Sequence, residues 1–150
     1  MKALIQRVKS GAVAVDGREA ARIGPGYVVL LGVRTGDLES HAEFLARKTA
    51  NLRIFPDAED RMNRSIVDTG GEILVISQFT LYADTRKGNR PGFTDAAQPA
   101  EAEALYESYV RHLRAILGEA RVRTGVFRAS MLVDIHNDGP VTVELSTDAL

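Results

Sequence analysis

Short apolar runs punctuated by turn residues dominate the first quarter of the chain. Residues 4–8 and 12–15 are β-type runs with Gly11 between them. Asp16-Gly17 then predicts a tight hairpin turn, because Gly tolerates a positive φ there. Residues 18–23 read as the returning strand, and Gly24-Pro25-Gly26 as a further turn. Residues 27–33 are continuously apolar, which predicts a central strand buried on both faces. Residues 73–76 are another apolar run that reads as a buried strand, and 122–126, 131–135 and 141–145 are the remaining β-type runs.

Two stretches have helical periodicity instead. Leu38, Ala42, Leu45, Thr49 and Leu52 recur at spacings of four and three, with Glu39, Glu43 and Arg47 on the opposite side. Asp37 is the candidate cap, and Phe55-Pro56-Asp57 the stop. In the second, Ala102, Leu105, Tyr106, Tyr109, Val110, Leu113, Ile116 and Leu117 fit a 3.6-residue period. Pro99 suits its first turn and Gly118 its end. Residues 58–71 are polar and turn-rich. The tail from Ser146 is expected to fray. Strands in clusters, not in strict alternation with helices, predict a single α+β domain of about seven mostly antiparallel strands and two main helices.

Composition narrows the function. The chain has 150 residues, 45% of them hydrophobic and 26% charged, as in an ordinary globular protein. A net charge of −1 excludes coating nucleic acid through bulk charge, so any such contact needs a local basic patch. There is no Cys, which excludes disulfides, thiolate nucleophiles and Cys-ligated zinc. No signal peptide is visible and no apolar run approaches a membrane span, so the cytoplasm is the expected location and no membrane partner is expected. His41, His112 and His136 have no ligand spacing on one element, and no metal or other cofactor is expected. No Gly-x-Ser-x-Gly elbow, Walker loop or dinucleotide fingerprint is present.

Three stretches remain as candidates for chemistry. Ser77-Gln78-Phe79-Thr80 delivers neutral polar side chains to the end of a core strand; alternatively, its hydroxyls merely satisfy nearby backbone groups. Arg86-Lys87-Gly88-Asn89-Arg90 places three cations around a Gly, a pattern that can hold phosphate or form a solvated loop. Residues 86–97 are also a long irregular segment of the kind that often has a function. Asn137-Asp138-Gly139-Pro140 reads most simply as a hairpin between two strands.

Taken together, Ser77-Gln78-Phe79-Thr80-Leu81, Lys87-Gly88, Arg90-Pro91 and Asn137-x-Gly139-Pro140-x-Thr142 closely resemble the D-aminoacyl-tRNA deacylase family. The likeness runs from Gln6-Arg7-Val8 to Val141-Thr142. Asn89 and Gly92 stand where the family pattern has Arg and Ser. The resemblance implies a barrel-like homodimer that hydrolyses the ester between a D-amino acid, or glycine, and the 3′-terminal adenosine of tRNA. It also implies that Gly139-Pro140 is cis and enters the partner subunit's pocket.

On that resemblance the catalytic candidates are Ser77, Gln78, Phe79 and Thr80. The substrate-binding candidates are Arg7, Met131, Asn137, Gly139 and Pro140, and Arg86, Lys87 and Arg90 would meet tRNA phosphate. A main-chain wedge would hold the α-amino group and drive an L side chain into itself, where a side-chain pocket would select only by size. Backbone N–H groups at Phe79 and Thr80 are the candidate oxyanion donors. The Thr80 hydroxyl either attacks the ester or assists while the substrate's 2′-OH positions water. The absence of His, Lys or carboxylate from residues 77–81 favours the second. Phe79 could stack on adenine or pack in the core. Two other classes fit parts of the pattern: a dimeric RNA- or nucleotide-binding module without catalysis, and a small-molecule esterase.

Overall fold

A computed structural model describes residues 1–148. Its centre is β1 (Lys2–Val15), which pairs antiparallel with β8 (Met131–Ser146) along one edge. On its other edge β1 pairs antiparallel first with β3 (Gly26–Gly32) and then with β2 (Arg18–Ile23). β3 continues the sheet to β6 (Glu72–Ser77), and β6 to β7 (Val122–Thr124), both parallel. A small antiparallel pair, β4 (Phe55–Pro56) and β5 (Met62–Arg64), stands apart. The result is a mostly antiparallel, barrel-like mixed sheet in one α+β domain.

The curl of the sheet creates two cores. Val8, Val13, Ile23, Val28, Leu74 and Ile76 pack together inside it. Tyr27, Val29, Leu31, Ile73 and Val75 face outward onto the helices. This is why β3 and β6 are apolar at successive positions: both faces are covered. At Gly26 a Cβ would lie 1.8 Å from the Glu72 carbonyl oxygen, so only Gly permits the close approach of β3 to β6.

Two long helices, α1 (Glu39–Asn51) and α3 (Pro99–Leu117), cover the outward face, with the single turn α2 (Ile66–Thr69) between them in sequence. Pro99 opens α3 and Gly118, at φ +91°, ends it. Leu105, Tyr106, Tyr109, Val110, Leu113 and Leu117 are buried, each apolar side chain contributing about 1.5–3 kcal/mol. The Tyr109 hydroxyl meets Thr49 Oγ1 at 2.8 Å, and Tyr106 donates to the Val75 carbonyl at 2.9 Å. No helix among the described residues is long and apolar enough to cross a membrane.

Several local expectations change. Gly11 does not divide two strands, because it pairs with Ile23 and Ile135 inside the single strand β1. Leu38 is the N-cap of α1 and is exposed, while the Asp37 carboxylate meets the Met1 ammonium and the Arg34 N–H. Asn51 ends α1, and Phe55-Pro56 belongs to β4. The polar segment before β6 holds β5 and α2, the latter capped by a reciprocal Ser65–Asp68 pair. Ile116 is exposed. Fraying from Ser146 is not seen: Thr147 is buried and its N–H donates to the Met1 carbonyl at 2.9 Å. Residues 149 and 150 of that tail lie outside the described residues.

Candidate active site

β6 ends at Ser77, and the chain turns at once into a 3-10 turn, Phe79–Tyr82. Leu31 of β3 holds the join, accepting from the Gln78 N–H at 2.8 Å. Among the described residues the Phe79 and Thr80 N–H groups find no protein acceptor, as expected of the first donors of a helical turn. The Gln78 side-chain amide donates to the Thr80 hydroxyl. Phe79 is exposed, and its ring meets Phe93 edge-on at 5.0 Å.

A cavity of about 530 Å³ opens beside this turn, a size usual for small-molecule sites. Its polar members include Ser77 and Gln78; its apolar wall includes Leu31, Ile76, Phe127, Met131 and Val133. Thr80 sits next to the cavity through Gln78 but does not line it. The lining contains no His, Lys or carboxylate. Among the described residues no group of three His, Cys, Asp or Glu side chains could hold a metal.

The second motif has an unexpected form. Residues 131–146 are one strand, not two strands and a hairpin. Gln6 pairs with Thr142 and Val8 with Asn137, so residues 138–141 bulge outward opposite Arg7 alone. Only tertiary pairing with the long strand β1 can carry a strand through such an excursion. The Gly139-Pro140 bond is cis, and both residues are exposed. Gly139 has φ +126°, and a Cβ there would lie 2.8 Å from Val141 Cγ2 and 3.1 Å from Arg7 Nη2.

Side chains with other expected roles brace this excursion. The Asn137 amide donates to the Arg7 and Val141 carbonyls, both at 3.1 Å, closing the neck. Arg7 donates through Nε to the Asp138 carbonyl at 3.2 Å and pairs with its carboxylate at 3.3 Å. Its Nη1 donates to the Ile54 carbonyl at 2.6 Å, leaving the side chain 12% exposed. Arg7 and Asn137 are thus committed to protein groups. Their signal in the sequence was position opposite the motif, which needs the strand register to read.

None of Arg7, Asn137, Gly139 and Pro140 lines the cavity of its own chain, whereas Met131 does. In the basic loop, Arg86 forms a two-point pair with Asp84 at 2.8 Å, and this guanidinium holds the Asp84 carboxyl well below the usual range. Lys87 and Arg90 are exposed. Phe93, Gln98, Phe127 and Arg128 join the cavity from three separate segments, with no motif to announce them.

Known proteins resemble this chain in sequence and fold. The family model for D-Tyr-tRNA(Tyr) deacylase matches residues 4–146. The D-aminoacyl-tRNA deacylase of Heliobacterium modesticaldum is 56% identical over 143 residues, covering 95% of this chain and 94% of the relative. That of Roseiflexus castenholzii is 55% identical over 147 residues, covering 98% and 92%. Among solved structures, a c-Myc DNA unwinding element binding protein superposes with a TM-score of 0.95 at 41% identity, covering 99% of this chain and all of that one. A probable eukaryotic D-amino acid tRNA deacylase superposes at 0.83 with 17% identity, covering 96% and 97%, a likeness of fold alone. Family match, identity along nearly the whole length and a cavity without His, Lys or carboxylate at the end of β6 agree: the chain belongs to the D-aminoacyl-tRNA deacylase family and is a hydrolase of D-aminoacyl-tRNA.

Proposed function

We propose that this deacylase works as a homodimer in which the excursion at Gly139-Pro140 enters the partner subunit's cavity and selects substrate by chirality. The observation that carries this reading is a separation. The excursion is exposed and braced, yet it lies outside the cavity of its own chain. A second copy supplies what one chain lacks.

In this reading the cavity holds the 3′-terminal adenosine, with Ser77 and Gln78 orienting it and Met131 as wall. Main-chain groups of the excursion hold the α-amino group and leave room only for a D side chain. Glycine presents no side chain to reject, so glycyl-tRNA is a substrate as well. The unpaired N–H groups of Phe79 and Thr80 take the oxyanion, a role in which one donor is worth about 10²–10³ in rate.

The lining lacks a general base, which favours water positioned by the substrate's own 2′-OH over attack by Thr80. Lys87 and Arg90 then contact tRNA phosphate, with Arg86, its charge already offset by Asp84, contributing less. A charged-tRNA substrate fits a cytoplasmic enzyme.

Mixed dimers test the central claim. Gly139→Ala impairs the selector, and the double variant Ser77→Ala, Gln78→Ala impairs the cavity. Each homodimer should deacylate D-aminoacyl-tRNA poorly. Selection by the partner leaves one intact site in each mixed dimer, so mixing after denaturation and refolding should restore activity. A mixture no more active than its parents would show that selector and cavity act within one chain.

A further inference from the structure

The cavity lining is electrically neutral but for one residue, Arg128. It lies in the turn after β7, where the Ala129 N–H donates to the Val126 carbonyl at 3.2 Å. Its φ of +63° is uncommon outside Gly, Asn and Asp. Outliers of this kind are retained where the surroundings or a function require them. The side chain is exposed, and among the described residues it has no ion-pair or hydrogen-bond partner. Arg114 and Arg121 differ: the first pairs with Glu119, and the second donates to the Gly71 and Ile66 carbonyls.

We propose that Arg128 binds the phosphodiester joining the terminal adenosine to the rest of the tRNA, and so fixes the direction in which the substrate enters the cavity. This rests on the reading that the cavity holds the aminoacylated adenosine. That part of the substrate carries two formal charges. The phosphodiester, on one side of the ribose, is negative, and the α-ammonium beyond the ester is positive. A single cation on a neutral wall attracts the first and repels the second. The other lining residues carry no formal charge and cannot tell the two ends apart in this way. A guanidinium suits the task because its planar fork matches two phosphate oxygens. An exposed position lets it do so without a large desolvation cost.

The test measures KM and kcat for D-aminoacyl-tRNA and for D-aminoacyl-adenosine, which keeps the ester and the ammonium but has no phosphate. The variants are Arg128→Asn, Arg128→Lys and Arg128→Glu; Asn tolerates the left-handed backbone, so misfolding is not the expected result. For the tRNA substrate, Arg128→Asn should raise KM about tenfold with kcat little changed, the scale of one charge-assisted hydrogen bond. Arg128→Lys should recover most of that loss, and Arg128→Glu should exceed it. The adenosine substrate should not distinguish Asn from Arg. An unchanged KM for tRNA in Arg128→Asn, or an equal loss on both substrates, would overturn the assignment. The underlying cavity reading fails separately: Ala97 lines the cavity, so Ala97→Trp, which fills it, would then leave both substrates cleaved as before.

Discussion

The strand end at Ser77–Thr80 and the excursion at residues 138–141 solve opposite problems with the same sheet. The first sits where β6 stops against the core, and its environment comes from parallel strands buried on both faces. Its polar groups need little bracing, because the core positions the backbone that bears them. The second projects from an edge strand into solvent, so its shape must come from specific side chains. Arg7 ties it to Ile54 through its Nε and Nη1, and Asn137 commits its side-chain amide N–H groups to the neck. A cavity set by the core is therefore robust to single side-chain losses, while a braced main-chain projection is fragile. Substitutions at the projection should cost more than those at the Thr80 hydroxyl beside the cavity.

Gly139→Ala should have the largest effect. The new Cβ meets Val141 and Arg7, and the left-handed backbone adds strain of about 1–3 kcal/mol. Displacing a positioning element by an ångström costs about 10²-fold, so kcat/KM on D-aminoacyl-tRNA should fall by about that factor. The melting temperature should drop only a few degrees. Undiminished activity would remove the excursion from the mechanism.

Arg7→Met comes next. It leaves the Ile54 and Asp138 carbonyls without their donor, while the Asp138 carboxylate keeps Lys9 at 3.4 Å, a cost of about 1–3 kcal/mol visible in urea unfolding. D-aminoacyl-tRNA activity should fall about tenfold, a figure set by the same energy range. Hydrolysis of L-aminoacyl-tRNA should rise relative to it as the projection loosens. A fall in both substrates with an unchanged ratio would mean that Arg7 serves stability only.

Thr80→Val should be milder, with kcat within about tenfold of the parent, the worth of one hydrogen bond. Removing a true nucleophile costs about 10⁶, so single-turnover kinetics separate the two roles without ambiguity. A loss on that larger scale would reverse the contrast between the two regions.

The smallest effect belongs to a group in neither region. Glu39 of α1 accepts from Ser108 at 2.5 Å, and His112 and Arg111 on α3 also face it, so its carboxyl titrates below the usual 4.5. A carboxyl lowered by folding stabilises the protein above its unfolded value. That contribution is lost as pH falls through the folded value. Urea midpoints should therefore decline below about pH 4.5, and Glu39→Gln should make that decline shallower. The D/L ratio at neutral pH should not change.

Much of this was legible in the residues. Apolar continuity marked β3 as buried on both faces and β6 as a buried strand, and periodicity with Pro99 and Gly118 marked α3 and its ends. The two motifs pointed to the family. These features are local: a strand's burial and a helix's ends are written in neighbouring side chains.

What stayed hidden depends on contacts between distant segments. Gly139 and Pro140 look like a hairpin turn in one dimension, and only pairing with β1 makes them a bulge in a single strand. Arg7 looks like a surface cation until register sets it opposite that bulge. Arg128 looks like any turn residue until folding makes it the lone charge on a neutral wall. Burial patterns determine elements because water acts on each residue where it stands. A side chain's partner is determined by closure of the sheet, which joins positions more than a hundred residues apart.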